Sequence, residues 1–333
     1  MIFFQGTKDI NRDSFFDALK GLAIFLMVVG HAIAWMYPEE TLYSFKNNLG
    51  VNVIYSFHMP LLFVVSGYFF PKGNGVSLDN FVKICGKKIL RLLVPFFVGG
   101  VLYCFFRGLK ITTLWFLQAL FWFSLINLLW EIVRKNVKKY VLPLDVLFYF
   151  LTFVILKIIT PLPISNSLAL DSTMYVAFSF GIVMKRYCLA EQVESNVVFN
   201  IALVVFVITN YFLFKGVTFP CYKVITGLSG SVACWNFIRI FKKESFIYKF
   251  FSTCGLFSLE IYILHVFFVL KIPQLGYFVD SIRGFRDDLI SRSLVEFLIA
   301  MGLAFVSIGF CVVLARFLKK SSLLNFILFG SLK

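Results

Sequence analysis

The sequence predicts an all-α protein, a polytopic transmembrane helical bundle of about ten helices with both termini in the cytoplasm. Of its 333 residues, 60% are hydrophobic and only 15% are charged, and the mean hydropathy is +0.87. The apolar residues form repeated runs of about 20 residues, the length of a helix that crosses the hydrocarbon core of a bilayer. No polar stretch is long enough to fold alone, so we expect one integral-membrane domain over residues 1–333, with its core motifs in 12–318.

The first apolar run is expected to be a retained span. A cleaved signal peptide with its core at 22–34 is the alternative, but Asp9, Asp13 and Asp17 precede the run, which is atypical of such a peptide. Pro161 and Pro163 make the boundaries of the fifth to seventh spans the least defined. The predicted spans are 15–36, 51–70, 89–106, 112–132, 141–160, 171–186, 197–214, 219–240, 252–271 and 293–317.

The distribution of basic residues predicts the orientation of the chain. With the N-terminus in the cytoplasm, 22 of the 32 lysines and arginines fall on the inner side and 8 on the outer side. This bias is typical of plasma membrane proteins, whose cytoplasmic loops are enriched in basic residues. We therefore expect a multi-pass protein of a bacterial plasma (inner) membrane, in contact with the lipid bilayer. The net charge of +15 is scattered in short clusters, which does not favour nucleic acid as a partner.

The seven cysteines form no C-x-x-C pair, and most lie in or beside apolar runs. Cysteine in such a setting behaves as a small hydrophobic residue. We expect neither disulfides nor a metal site.

The three histidines, His31, His58 and His265, are the best indication of chemistry. Each lies within an apolar run, where an ionisable side chain is expensive and is usually functional. In the predicted topology all three belong to the outer half of the membrane. Glu260 is also notable, because a carboxylate at this depth needs a cation or hydrogen-bond partner.

The first helix carries Asp17 and Lys20 near its start and His31 near its end. Lys20 and His31 are 11 residues apart, about three turns and roughly 16 Å, so they project from nearly the same face at different depths. A long ligand can reach both. The structural alternative is an i,i+3 ion pair of Asp17 with Lys20, and a hydrogen bond from His31 to another helix.

The second helix carries His58 just before Pro60, and then Ser66 and Gly67. For the proline and the small pair, close helix packing is the favoured interpretation. For His58, a catalytic role and a packing role are equally compatible with the sequence.

The order and spacing of these motifs resemble those of the integral-membrane acyltransferase family 3, and within it the fucose 4-O-acetylase-like branch. The first matching pieces are Asp17-x-x-Lys20-Gly21 with His31, and Phe57-His58-Met59-Pro60-Leu61 running into Ser66-Gly67-Tyr68. Supporting pieces are Arg91-x-x-x-Pro95, Trp115-Phe116-Leu117 and Ser258-x-Glu260-x-Tyr262-x-x-His265. Many members carry arginine where this chain has Lys20, so this position offers a point charge without the bidentate contact of a guanidinium.

The resemblance implies an O-acyltransferase that moves an acetyl or similar acyl group from acyl-CoA to a hydroxyl of a cell-envelope polysaccharide or lipid-linked sugar. Acetyl-CoA is then a donor substrate, and no cofactor is expected to stay bound. The expected catalytic residues are His31 as base or acyl carrier, together with His58, Glu260 and His265. The expected donor-binding residues are Lys20, Arg91, Asp17 and Trp115. The chain has no room for the soluble hydrolase-like domain of some relatives.

Two other classes are compatible with buried polar residues in a helical bundle. A transporter or flippase for a lipid-linked or small polar substrate is the main alternative, and inverted repeats or paired broken helices are typical of that class. We see neither in the sequence. A membrane scaffold or sensor without catalysis is the third, and it predicts that all three histidines are replaceable.

Overall fold

The computed structural model describes residues 13–36, 48–71, 78–134, 141–269, 272–282 and 288–331, and every regular element among them is helical. The predicted all-α bundle is thus confirmed. The α-helices are α1 Ser14–Trp35, α2 Leu49–Tyr68, α3 Leu78–Lys88, α4 Val94–Arg107, α5 Trp115–Arg134, α6 Val141–Ile159, α7 Pro163–Leu168, α8 Ser172–Arg186, α9 Ala190–Val193, α10 Asn196–Phe214, α11 Tyr222–Ile240, α12 Phe246–Leu256, α13 Ser258–Phe268, α14 Pro273–Ser281, α15 Leu289–Leu318 and α16 Ser322–Phe329. A π-helical turn, Ile89–Leu93, joins α3 to α4, and a 3₁₀ turn, Ile111–Leu114, precedes α5.

Every predicted span overlaps at least one helix, but not every helix is long and apolar enough to cross a bilayer alone. Within the described ranges, seven helical segments meet that requirement, and eight do if α12 and α13 are counted as one span. Helix α8 has only 15 residues, fewer than the ~20 that a bilayer needs. The protein is a multi-pass membrane protein, whereas ten crossings and cytoplasmic termini stay predictions.

The ninth predicted span is not a continuous helix. The chain bends by 89° between α12 and α13, at Phe257. The hydropathy of 252–271 predicts one straight span because both arms of the bend are apolar, and hydropathy carries no information on direction.

The described chain divides into two compact units. The first comprises Phe63–Leu189 and 317–331, and the second comprises Asp13–Leu62 and Ala190–Arg316. One integral-membrane domain over residues 1–333 stays a prediction. In the first unit, the end of α2 packs against α8 through glycines on both sides. A Cβ on Gly67 would overlap the Phe178 carbonyl, and one on Gly181 would overlap the Val64 carbonyl. The close packing predicted for Gly67 is therefore confirmed.

A buried ionic network joins α5, α6 and α8 in the first unit. Asp145 accepts hydrogen bonds from Arg186 Nη1 at 2.7 Å, from Tyr187 Oη at 2.7 Å and from Trp130 Nε1 at 2.7 Å. Arg186 also pairs with Glu131. Both carboxylates are only 1% exposed, so their charges depend on these partners.

The second unit is built around α1, and 16 of the 22 residues of this helix are buried. Asp13 caps its first turn by accepting a hydrogen bond from the Phe15 amide at 3.0 Å. Gly21 and Gly255 allow α1 and α12 to touch at the backbone, since a Cβ on either would overlap the other helix. This close contact lies next to the bend from which α13 departs.

Candidate active site

His31 and His265 form a direct pair in the second unit. Nδ1 of His31 lies 3.1 Å from Nε2 of His265, and the two rings stack with their centroids 5.0 Å apart. Glycines bring α12 into contact with α1, and the bend after α12 then places α13 beside α1. The structure thus joins two of the predicted catalytic residues across 234 positions of sequence.

The backbone around His265 determines which ring nitrogens carry protons. Nδ1 of His265 lies 2.9 Å from the Tyr262 carbonyl oxygen and 3.1 Å from that of Ile261. A carbonyl only accepts, so Nδ1 of His265 must be the donor, and Nε2 of the neutral ring is then an acceptor. His31 consequently donates from Nδ1 to His265. The lone pair of a neutral His31 is therefore on Nε2.

The three histidines differ in exposure. His58 and His265 are buried, whereas His31 is partly exposed. A partly exposed imidazole whose orientation is fixed by a hydrogen bond can exchange a proton with a bound substrate.

The Tyr55 ring is close to both His58 and His31, and Tyr55 is not among the predicted site residues. Nδ1 of His58 donates to the Ile54 carbonyl at 2.7 Å, which leaves Nε2 as an acceptor in the neutral ring. The Tyr55 ring centroid is 5.1 Å from that of His58 and 6.3 Å from that of His31. The spacing of Tyr55 and His58, three residues on one helix, was the signal that could have identified the tyrosine.

Glu260 is buried in the first turn of α13, in the same unit as the histidines. The backbone N–H groups at the start of a helix favour a negative charge. The position of Glu260 gives a physical reason for a carboxylate in this apolar segment.

Lys20 and Asp17 form the i,i+3 ion pair predicted as the structural alternative. Nζ of Lys20 lies 2.8 Å from Oδ1 of Asp17, and both side chains are buried. This contact neutralises much of the lysine charge. The predicted donor-binding roles of both residues stay predictions.

Arg91 lies in the first unit, in the π-helical turn, a deviation from α-helix that is frequent at functional sites. It lines a cavity together with Lys87, Lys88 and the hydroxyl groups of Ser66 and Ser124. Lys88 donates to the Ser124 hydroxyl at 3.0 Å. Among the described residues that line this cavity none is acidic, so its charge is positive.

A family model described as an acyltransferase domain matches residues 13–316, which contain all of these residues. The chain belongs to acyltransferase family 3. Two proteins named nodulation protein NolL are similar to part of it. The one from Mesorhizobium japonicum is 33% identical over 85 residues, and the one from Sinorhizobium fredii is 36% identical over 86 residues. Each alignment covers 26% of this chain and 22% of the relative, and no solved structure matches the chain.

Trp115, the remaining predicted donor-binding residue, lies in the first unit at the start of α5. Its ring packs 6.2 Å from that of Phe63, and it lines a second cavity with Thr160 and Asp171. Among the described residues, none lines both this cavity and the basic one around Arg91. The predicted donor-binding residues Arg91 and Trp115 therefore line different cavities.

Proposed function

We propose that this membrane acyltransferase moves an acetyl or similar acyl group from acyl-CoA to a hydroxyl of a cell-envelope polysaccharide or lipid-linked sugar. The observation that carries the proposal is the His31–His265 pair, together with the family. O-acyl transfer requires a base that works near neutral pH, and an oriented, partly exposed imidazole supplies one.

In the proposed reaction, Nε2 of His31 removes the proton of the acceptor hydroxyl as its oxygen attacks the thioester carbonyl carbon. The C–O bond forms and the carbonyl oxygen becomes an oxyanion. Collapse of this intermediate breaks the C–S bond, and the CoA sulfur leaves with the proton that His31 held. Atoms and charge balance, and His31 returns to its neutral form. If His31 is instead a transient acyl carrier, its Nε2 lone pair attacks the thioester carbonyl carbon and the C–S bond breaks to release the CoA thiolate. The acceptor oxygen then attacks the acyl-imidazole, the N–C bond breaks, and the hydroxyl proton passes to the CoA thiolate.

His265 acts through His31 as a positioning residue. Its Nε2 accepts the hydrogen bond from Nδ1 of His31, which fixes the ring and stabilises the imidazolium that forms during transfer, as the third member of a catalytic triad does. His58 is better suited to orient the acceptor than to stabilise the oxyanion. Its neutral ring has already used its N–H on the Ile54 carbonyl, and only an acceptor nitrogen remains.

The basic cavity of the first unit suits the phosphate groups of CoA. Lys87, Lys88 and Arg91 supply positive charge, and in the predicted topology they lie on the cytoplasmic side, where CoA is found. This cavity is the stronger candidate for phosphate contact, because Lys20 is already paired with Asp17. The proposal includes residence in a bacterial plasma (inner) membrane and an acceptor in the cell envelope.

The test is transfer of label from acetyl-labelled CoA to envelope glycan by membranes that contain this protein. We expect label with the parent, none with His31→Ala, and unchanged label with Gly302→Ala, a control whose added Cβ meets nothing within 4 Å. Label with His31→Ala would remove this residue from catalysis. Absence of both label and CoA binding in the parent would favour a transporter.

A further inference from the structure

The cavity beside Trp115 has the chemistry of a carbohydrate site. Its volume is about 330 Å³, within the range of small-molecule sites in proteins. It is lined by one indole ring, by the polar side chains Thr160, Ser165 and Asp171, and by the apolar side chain of Met174. An aromatic surface beside a few polar atoms matches a sugar ring, which has apolar C–H faces and a hydroxyl rim.

The hydrogen bonds within this cavity leave it rich in acceptors. The Thr160 hydroxyl donates to the Leu156 carbonyl at 2.6 Å, so its oxygen is left to accept. Asp171 caps α8 with Oδ1, which accepts from the Met174 amide at 2.9 Å, and Oδ2 has no hydrogen-bond partner within the described part of the chain. Acceptors of this kind bind the hydroxyl protons of a polyol.

The segment between Thr160 and Asp171 is held in place before any ligand binds. Ser165 donates to the Thr160 carbonyl at 2.8 Å, and Gln118 of α5 donates to the Ser167 carbonyl at 3.0 Å. Ala169 has a φ of 54°, a left-handed conformation that costs free energy for a residue with a Cβ and is frequent at binding sites. A rim ordered in advance reduces the entropy lost on binding.

The charge of the cavity argues against the acyl donor as its occupant. Asp171 is the charged residue among its described lining residues, and a carboxylate repels the phosphates of CoA. The predicted topology also places Trp115, Thr160 and Asp171 on the external side, opposite to the source of CoA. Trp115 therefore belongs with the acceptor, although the family resemblance implies donor binding.

We propose that the cavity formed by Trp115, Thr160, Ser165 and Asp171 is a binding site for a neutral carbohydrate, the chemical class of the acceptor. This inference rests on the proposed function for the biological role of the sugar. Carbohydrate binding can be measured without acyl transfer, so this inference and the proposed function can be contradicted separately.

The experiment is binding of the purified full chain, in lipid nanodiscs, to an array of neutral bacterial and plant glycans, followed by saturation-transfer NMR with the best ligand. We expect Trp115→Leu to weaken binding by about tenfold or more, the loss expected for a central aromatic contact. Trp122→Leu, on the same helix and away from the cavity, is the matched control and should bind like the parent. Asp171→Asn keeps an oxygen for the helix cap and should also weaken binding.

Two results would overturn the inference: no neutral glycan binds to the parent, or Trp115→Leu binds as the parent does. Binding of labelled CoA to the same nanodiscs is measured in parallel and should be unchanged by Trp115→Leu. Loss of CoA binding in this variant would show that Trp115 contributes to binding of the acyl donor. Absence of CoA binding in the parent, with glycan binding intact, would instead contradict the proposed function.

Discussion

The hydrogen bond between the two histidines is the contact on which the proposed chemistry depends. His265→Leu removes the acceptor of the His31 Nδ1 proton, and we expect kcat to fall by about a hundredfold, the lower end of what a positioned general base contributes. The KM for the acyl donor should change little. His265→Gln offers an amide oxygen in a similar place and should recover much of the lost kcat. These values are measured by release of CoA from acetyl-CoA.

A purely structural role for His265 predicts a different pattern. In that case both variants would lose folded protein together, and the fraction that folds would keep the parent kcat. If His265→Gln folds but is as slow as His265→Leu, hydrogen-bond acceptance is not what this residue contributes. The sequence could identify both histidines as costly residues in apolar runs. It could not place them in contact, because 234 positions and a helix bend separate them.

At the scale of the helix, the crossing of α1 and α12 supports the histidine pair. A Cβ on Gly255 would overlap the Asp17 carbonyl, so Gly255→Ala forces two backbones apart. We expect a loss of stability of about 1–3 kcal/mol, typical of overpacking, and a lower midpoint of thermal unfolding in detergent. Gly302→Ala in α15 is the control, because its Cβ would lie in open space, and it should unfold as the parent does.

An unchanged midpoint for Gly255→Ala would mean that the two helices are not in backbone contact. Hydropathy alone predicts an apolar helix over 252–271, which covers α13 but only the last five residues of α12. The bend between them could not be predicted, because no proline lies within 252–271 to mark it. The backbone contact at Gly255 could not be predicted from the sequence either, since a glycine within a helix does not by itself indicate which helix packs against it.

At the scale of the whole molecule, the number of membrane crossings can be decided with two native cysteines. Cys188 follows α8 and Cys221 precedes α11, and both are exposed. If α8 crosses the membrane, the predicted topology places Cys188 in the cytoplasm and Cys221 outside. If the 15 residues of α8 do not cross, Cys188 lies outside and Cys221 lies in the cytoplasm, because α10 then crosses in the opposite direction.

A membrane-impermeant maleimide added to intact cells separates these topologies. We expect label on the peptide that contains Cys221 and none on the peptide with Cys188 until the membrane is permeabilised, with both sites read by mass spectrometry. The physical reason is the bias of 22 basic residues inside to 8 outside, which the exchange of sides after α8 would reduce. Label on Cys188 alone would show that α8 does not cross, and it would reverse the orientation of every span that follows.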